Sequence, residues 1–303
     1  MGALGAWREG LDKFTRATQQ PVPNRMHPST PGLPEPRRLL PALPAGIEWL
    51  PVNLGESGDS VYRRSDGAAF AKVSPGSAGG VESLAGERLR TEWLAPFELG
   101  SAKVLDWCAS QEGACLVTSV VPGVPASELP AEKLLQAWPS MVQRLRLLHE
   151  IPAADCPFAR ALSTMFERAC DVVARNAVNK EFLDPEQQDV PPPLLLDALR
   201  VQLIQRLAQE ARDRVVCHGD ACMPNFMIDP QTLRCTGLID LGRLGTADRY
   251  VDLSLFLANA RDSWRGPHDE FAARQGLFDT LEIGEPDDGR LDFYLRLDPL
   301  TWG

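Results

Sequence analysis

Between Ile47 and Val121 the apolar residues come in short runs punctuated by Gly, Asp and Ser. The stretch IEWLPVNLGESGDSVYRRSDGAAFAKVSP reads as antiparallel strands with turns at GESGD and SDGA, because a half-buried strand alternates its faces with period two. VESLAGERLRTEWLA, residues 81–95, predicts a helix, and AKVLDWCA and ACLVTSVV predict two further strands around a SQEG turn. After Pro122-Gly123 the spacing changes. Leu134, Leu135, Trp138, Met141, Val142, Leu145 and Leu148 fall on one helical face, which Pro139 either kinks or divides into two helices. Helical spacing returns around Met165–Val173 and again over LLLDALRVQLIQRLAQEA, residues 194–211, before two short strands flank VVCHGDACMPNFMIDP. The pattern predicts an α+β protein of two lobes: a small β-rich N-terminal lobe over 47–121 and a larger, mainly α lobe over 122–303.

Composition separates a third region. Residues 21–44 hold eight prolines in 24 positions, too many for a helix or an interior strand, so 1–46 reads as a Pro-rich flexible extension, with Met26 an alternative start. No apolar run is long enough to span a membrane. The N-terminus lacks a signal-peptide core, Ala6 stands where a myristoylation motif needs Ser or Thr, and prolines interrupt the apolar stretch after Arg37-Arg38. Seven cysteines without a CxxC pair suit a reducing compartment, and the expected location is cytoplasmic. Cys217, His218, Cys222 and Cys235 are close in sequence, but their spacing matches no zinc pattern and favours packing. Net charge is −10, and the chain beyond residue 46 carries 25 basic and 38 acidic residues. That balance disfavours nucleic acid as a partner and suits a cationic small molecule, though solubility alone also explains it.

The chemistry sits in the stretch between the short strands. Protein kinases carry H-R-D-x-x-x-x-N, whose Asp meets the acceptor hydroxyl and whose Asn holds a metal. Here His218-Gly219-Asp220 is followed by Asn225 at the same spacing, with Gly in place of Arg. Fifteen residues on, Ile239-Asp240-Leu241-Gly242 stands where kinases place the metal-binding D-F-G. In the β-lobe, Ala69-Phe70-Ala71-Lys72 resembles the strand that presents the phosphate-binding lysine, and Glu87 is placed to pair with it. Gly55, Ser57 and Gly58 form a turn suited to lie over phosphates, although it departs from G-x-G-x-x-G. The residue types match one need each: hard oxygen donors, Asn225 and Asp240, for Mg²⁺; a fixed cation, Lys72, for phosphates; a carboxylate, Asp220, for the hydroxyl proton. His218 is expected to brace the loop, and His149 to pack at a helix end.

HGDACMPN and GLIDLGRLGTADRYVDL together resemble the aminoglycoside phosphotransferases, kinase-like enzymes that phosphorylate antibiotics. GACLVTSVVPGVPASEL, AWPSM and FYLRLDPLTWG extend the likeness from Trp49 to Gly303, most closely to the branch acting on the 3''-hydroxyl of streptomycin. The resemblance implies a protein-kinase-like fold, ATP and Mg²⁺ as cofactors, and a small-molecule aminoglycoside as acceptor, with no obligate protein partner evident. It implies that the backbone of Ser119, Val120 and Val121 holds the adenine, that Arg243 and Asp298 meet the aminoglycoside, and that Asp252 braces the HGD loop. Two alternatives remain at this point: a kinase of another small alcohol, like choline or homoserine kinases, and a pseudokinase that binds nucleotide without transfer. The intact set Lys72, Asp220, Asn225 and Asp240 argues against the second.

Overall fold

A computed structural model describes residues 36–52, 59–76 and 79–303. Its N-terminal lobe is a five-stranded antiparallel sheet built from β1 (Trp49–Val52), β2 (Ser60–Arg64), β3 (Ala69–Pro75), β4 (Val104–Ser110) and β5 (Gly113–Ser119), in the order β1-β2-β3-β5-β4. Period-two alternation in β3 decides what the two faces do. Ala69, Ala71 and Val73 enter one buried cluster with Tyr62, Cys115 and Val117, which leaves Lys72 on the other face, paired in register with Leu116. On that face Leu116 and Ala114 pack against Leu84 of α1 (Gly80–Leu94). Glu87 lies three residues beyond Leu84 and so points from α1 toward the same side of the sheet as Lys72.

The second lobe holds β6 (Val124–Pro125), α2 (Ala131–His149), α3 (Leu162–Ala174), α4 (Pro192–Arg200), α5 (Leu203–Asp213), β7 (Arg214–Cys217), β8 (Phe226–Ile228), β9 (Cys235–Leu238), β10 (Gly245–Asp248), α6 (Tyr250–Ala260), α7 (Pro267–Thr280) and α8 (Asp288–Leu297). One large apolar core, centred on α2, α3, α6 and α8, fills this lobe and reaches back to Leu94 and Leu99 beneath the sheet. Two small antiparallel sheets, β7 with β10 and β6-β8-β9, lie on that core and carry the HGD and DLG loops between their strands. Among the described residues no helix is long and apolar enough to cross a membrane.

Four features differ from the sequence pattern. The helix expected over 194–211 is two helices, broken at Val201-Gln202, because α4 lies against α3 and α8 while α5 turns toward β10. Pro139 marks no boundary: α2 runs through it as one helix. The larger lobe has five short strands, three more than expected. The chain also begins to pack before Ile47, since Leu39 and Leu40 lie on the sheet core and Trp49 Nε1 donates to the Pro41 carbonyl at 3.1 Å.

Candidate active site

Lys72 Nζ stands 2.8 Å from Glu87 Oε2, 3.2 Å from Asp240 Oδ1 and 4.0 Å from Asp59 Oδ2. Burial opposes the lysine's charge, but Glu87, Asp240 and Asp59 together hold it above its ordinary range. Burial pushes Glu87 up; Lys72 pulls against it, and the neighbouring carboxylates reinforce the rise. Glu87 therefore pairs with Lys72, while Arg90 bonds the Leu244 carbonyl and Arg88 lies over the Trp107 ring. Asp240 itself occupies the left-handed region, φ 57°, ψ 63°, uncommon for a non-glycine residue although aspartate adopts it more readily than most. Three carboxylates on one ammonium leave an excess of negative charge, which suits a site that gathers a multivalent cation.

The HGD loop follows β7 and is fixed from behind. Asp252, fully buried on α6, accepts from His218 N (2.8 Å) and His149 Nε2 (3.0 Å) at Oδ2 and from Gly219 N (2.8 Å) at Oδ1. Burial alone would raise the Asp252 carboxyl, but the His149 hydrogen bond, the electrostatic pull of the His149 and His218 rings and the Gly219 N–H outweigh it and lower it. His218 lies buried with Nε2 donating to the Ile239 carbonyl at 3.0 Å and Nδ1 accepting from Asp220 N at 3.3 Å. That leaves its ring tying the HGD strand end to the DLG strand end. Asn225 Nδ2 donates to the Asp220 carbonyl (2.8 Å) and to Asp220 Oδ2 (3.2 Å), so its amide oxygen is the end left for a ligand. The Cys222 thiol donates to Asp220 Oδ1 at 3.3 Å, and burial followed by the Asp220 charge keeps it protonated.

Near Asp220 lies a cluster of four residues from three separate segments. Arg243 Nη1 is 3.0 Å and Arg160 Nη2 3.4 Å from Asp298 Oδ1, and Trp302 Nε1 donates to Asp298 Oδ2 at 2.9 Å. The Arg243 guanidinium lies 3.6 Å over the Trp302 ring, a close cation–π stack. Burial, then the Arg243 charge, brings the Arg160 guanidinium down to about 10.

The expected residues thus converge as two groups: Lys72, Glu87 and Asp240 on one side, Asp220 and Asn225 on the other, with Arg243 and Asp298 paired beside them. Ser119, whose N and Oγ are engaged with Lys103, ends β5, and Val121 is buried just after it, where the chain passes between lobes. Gly55, Ser57 and Gly58 lie outside the described residues. Asp298 is only 8 % exposed, with both oxygens bonded to protein. Sequence reasoning missed Asp59, Arg160 and Trp302. It also read His149 as helix-end packing, whereas the residue is the ring partner of Asp252. Among the described residues one group of side chains comes close enough to share a metal, the His149 imidazole, the Cys217 thiol and the Asp252 carboxylate. Cys217 is held protonated by burial, and Cys222 and Cys235 face elsewhere, so packing remains the reading of these cysteines.

Residues 48–294 match the model of the phosphotransferase enzyme family. The chain is 49% identical over 278 residues to the streptomycin 3''-kinase of Streptomyces griseus, covering 89% of this chain and 98% of that protein. It is 36% identical to an aminoglycoside 3'-phosphotransferase of Streptomyces fradiae, covering 83% and 94% of the two chains. Among solved structures it matches the aminoglycoside phosphotransferase APH(3'')-Id of Streptomyces rimosus in complex with ADP and streptomycin, with a TM-score of 0.79 and 46% identity, covering 84% of this chain and 93% of that one. With the family model matched over residues 48–294 and a relative 49% identical over nearly its whole length, the chain belongs to the phosphotransferase enzyme family and stands among its aminoglycoside phosphotransferases.

Proposed function

We propose that this protein transfers the γ-phosphoryl group of ATP to the 3''-hydroxyl of streptomycin. The observation that supports this most is the pairing of Lys72 with Glu87 and Asp240 and of Asp220 with Asn225, on two loops tied together by His218 Nε2 to the Ile239 carbonyl and Ile239 N to the Asn225 carbonyl, in a chain 49% identical to a streptomycin 3''-kinase across nearly all of that enzyme. Lys72 supplies the fixed cation for the phosphates, and Glu87 holds it in place. Asp220 orients the acceptor hydroxyl and takes its proton, held in place by Asn225 and, through the loop backbone, by Asp252. The backbone of Ser119 to Val121 receives the adenine.

The donor set fits Mg²⁺. Asp240 offers a carboxylate that is 43% exposed, and Asn225 turns its amide nitrogen toward Asp220, freeing its oxygen. These two residues would hold the ion, which supplies neutralisation of the phosphate charge as transfer proceeds. A reducing, cytoplasmic setting accords with the seven free thiols.

The experiment incubates the purified protein with ATP, Mg²⁺ and a panel of acceptors, reading ADP release and product mass. Streptomycin is expected to gain one phosphoryl group. Turnover confined to choline, homoserine or another non-aminoglycoside alcohol would overturn the assignment.

A further inference from the structure

The HGD loop departs from the kinase pattern at Gly219, where kinases carry arginine, and the structure shows what occupies the space. Gly219 has φ +79°, and a Cβ there would collide with the Arg243 carbonyl oxygen and come 2.8 Å from Cδ of Arg160. Arg160 belongs to the segment before α3, remote in sequence, yet its backbone is pinned beside the loop: Arg160 N donates to Thr246 O at 2.9 Å and Thr246 N to Phe158 O at 2.8 Å. The aliphatic stem of Arg160 therefore lies against the loop at the one residue that has no side chain.

Its charged end is placed at a cost that packing does not explain. The Arg160 side chain is 15% exposed, and its Nε is buried with no protein partner among the described residues. It also sits near a second guanidinium, Arg243, on the same oxygen of Asp298. A buried cation with an unmet donor and a like charge for neighbour is unfavourable unless the site needs it. In a cleft expected to receive a polycation, an extra positive charge does not attract the acceptor. Holding Asp298 is the task left to it.

We infer that Arg160 is a positioning residue for the acceptor: delivered from outside the loop, it stands where the kinase arginine would and, with Arg243, fixes Asp298 and Trp302 as the wall beside Asp220. The inference rests on reading this cleft as the acceptor site of the proposed reaction. Losing one charge-assisted hydrogen bond of about 1.5–3 kcal/mol corresponds to roughly a 10- to 100-fold change.

The test compares wild type with Arg160→Lys, Arg160→Met and Arg160→Ala in steady-state assays that vary ATP and streptomycin separately. Arg160→Met keeps the stem on Gly219 and removes the charge. It is expected to raise the streptomycin KM by at least about tenfold while the KM for ATP stays within about twofold. Arg160→Lys should recover most of the loss, and millimolar methylguanidinium should partly restore Arg160→Ala. An unchanged streptomycin KM in Arg160→Met would overturn the inference. So would a parallel loss for ATP and streptomycin with a lowered Tm and no rescue by Lys or methylguanidinium, since that marks a purely structural residue. If wild type turns over a different acceptor, the functional reading fails separately, and the same KM split is measured on that acceptor.

Discussion

Asp252→Asn changes one buried oxygen to a nitrogen behind the HGD loop. Asp252 accepts three hydrogen bonds, from His149 Nε2, His218 N and Gly219 N. The smallest loss keeps the amide oxygen toward the two donors at Oδ2 and turns the amide nitrogen toward Gly219 N, so that two donors face each other. One charge-assisted bond is then gone, a buried N–H is left unpaired, and the remaining two bonds weaken from ionic to neutral. At about 1.5–3 kcal/mol for the lost bond and about 1–3 for the unpaired group, the variant loses roughly 3–5 kcal/mol. For a protein of this size, where 1 kcal/mol moves Tm by about 2–4 °C, the melting point should fall by about 10 °C. The pH dependence has a definite sign. The folded-state carboxyl is lowered by its partners, so its contribution is fully present above the unfolded value of about 3.9 and is lost as pH falls through the lower folded value. Scanning fluorimetry from neutral pH to below pH 4 should show wild type losing, at the acid end, an advantage that Asp252→Asn never has. A variant with Tm within about 2 °C of wild type and the same acid profile would refute the bracing role.

Other substitutions separate the two halves of the site. Asp220→Ala should lower kcat by at least about a thousandfold while ATP affinity, measured by calorimetry, stays within a few-fold, as the role proposed for Asp220 toward the acceptor requires. Asp240→Ala should weaken Mg²⁺-dependent ATP binding by at least about tenfold, and raising Mg²⁺ should not restore it, as its proposed place as one of two oxygen donors requires. Gly219→Ala should cost about 1–3 kcal/mol from its left-handed backbone, and more from the collision with the Arg243 carbonyl, read as a lowered denaturant midpoint together with reduced kcat.

Much of this site is written locally. Alternation in AFAKV is enough to place Lys72 opposite Ala71 and Val73, and the four-residue gap between Asp220 and Asn225 is one short turn whose ends meet through Asn225 Nδ2. The stripe from Leu134 to Leu148 is buried as its spacing requires, with Leu135 half-buried at its edge. What escaped the sequence depends on meetings between distant segments. Nothing near Arg160 marks it as a partner of Asp298, 138 residues away, and nothing near His149 points to Asp252. The break between α4 and α5 was invisible because Leu196, Leu199 and Leu203 keep helical spacing through it; tertiary packing, not the local pattern, redirects the chain. The added strands are two to four residues long, too short for a period of two to register. Asp298 illustrates the difference between finding a residue and finding its role. The resemblance implied a place for it at the acceptor, whereas its saturation by two arginines and Trp302 had no sign in the sequence.

The most direct measurement of the central claim is identification of the phosphorylated hydroxyl. Streptomycin treated with the wild-type protein, ATP and Mg²⁺ is purified and its phosphorus coupling traced by two-dimensional ³¹P–¹H NMR, with Asp220→Ala run in parallel. A single phosphate ester at the 3'' position is expected from wild type and none from Asp220→Ala. A phosphate at another hydroxyl, or equal product from both proteins, would contradict it.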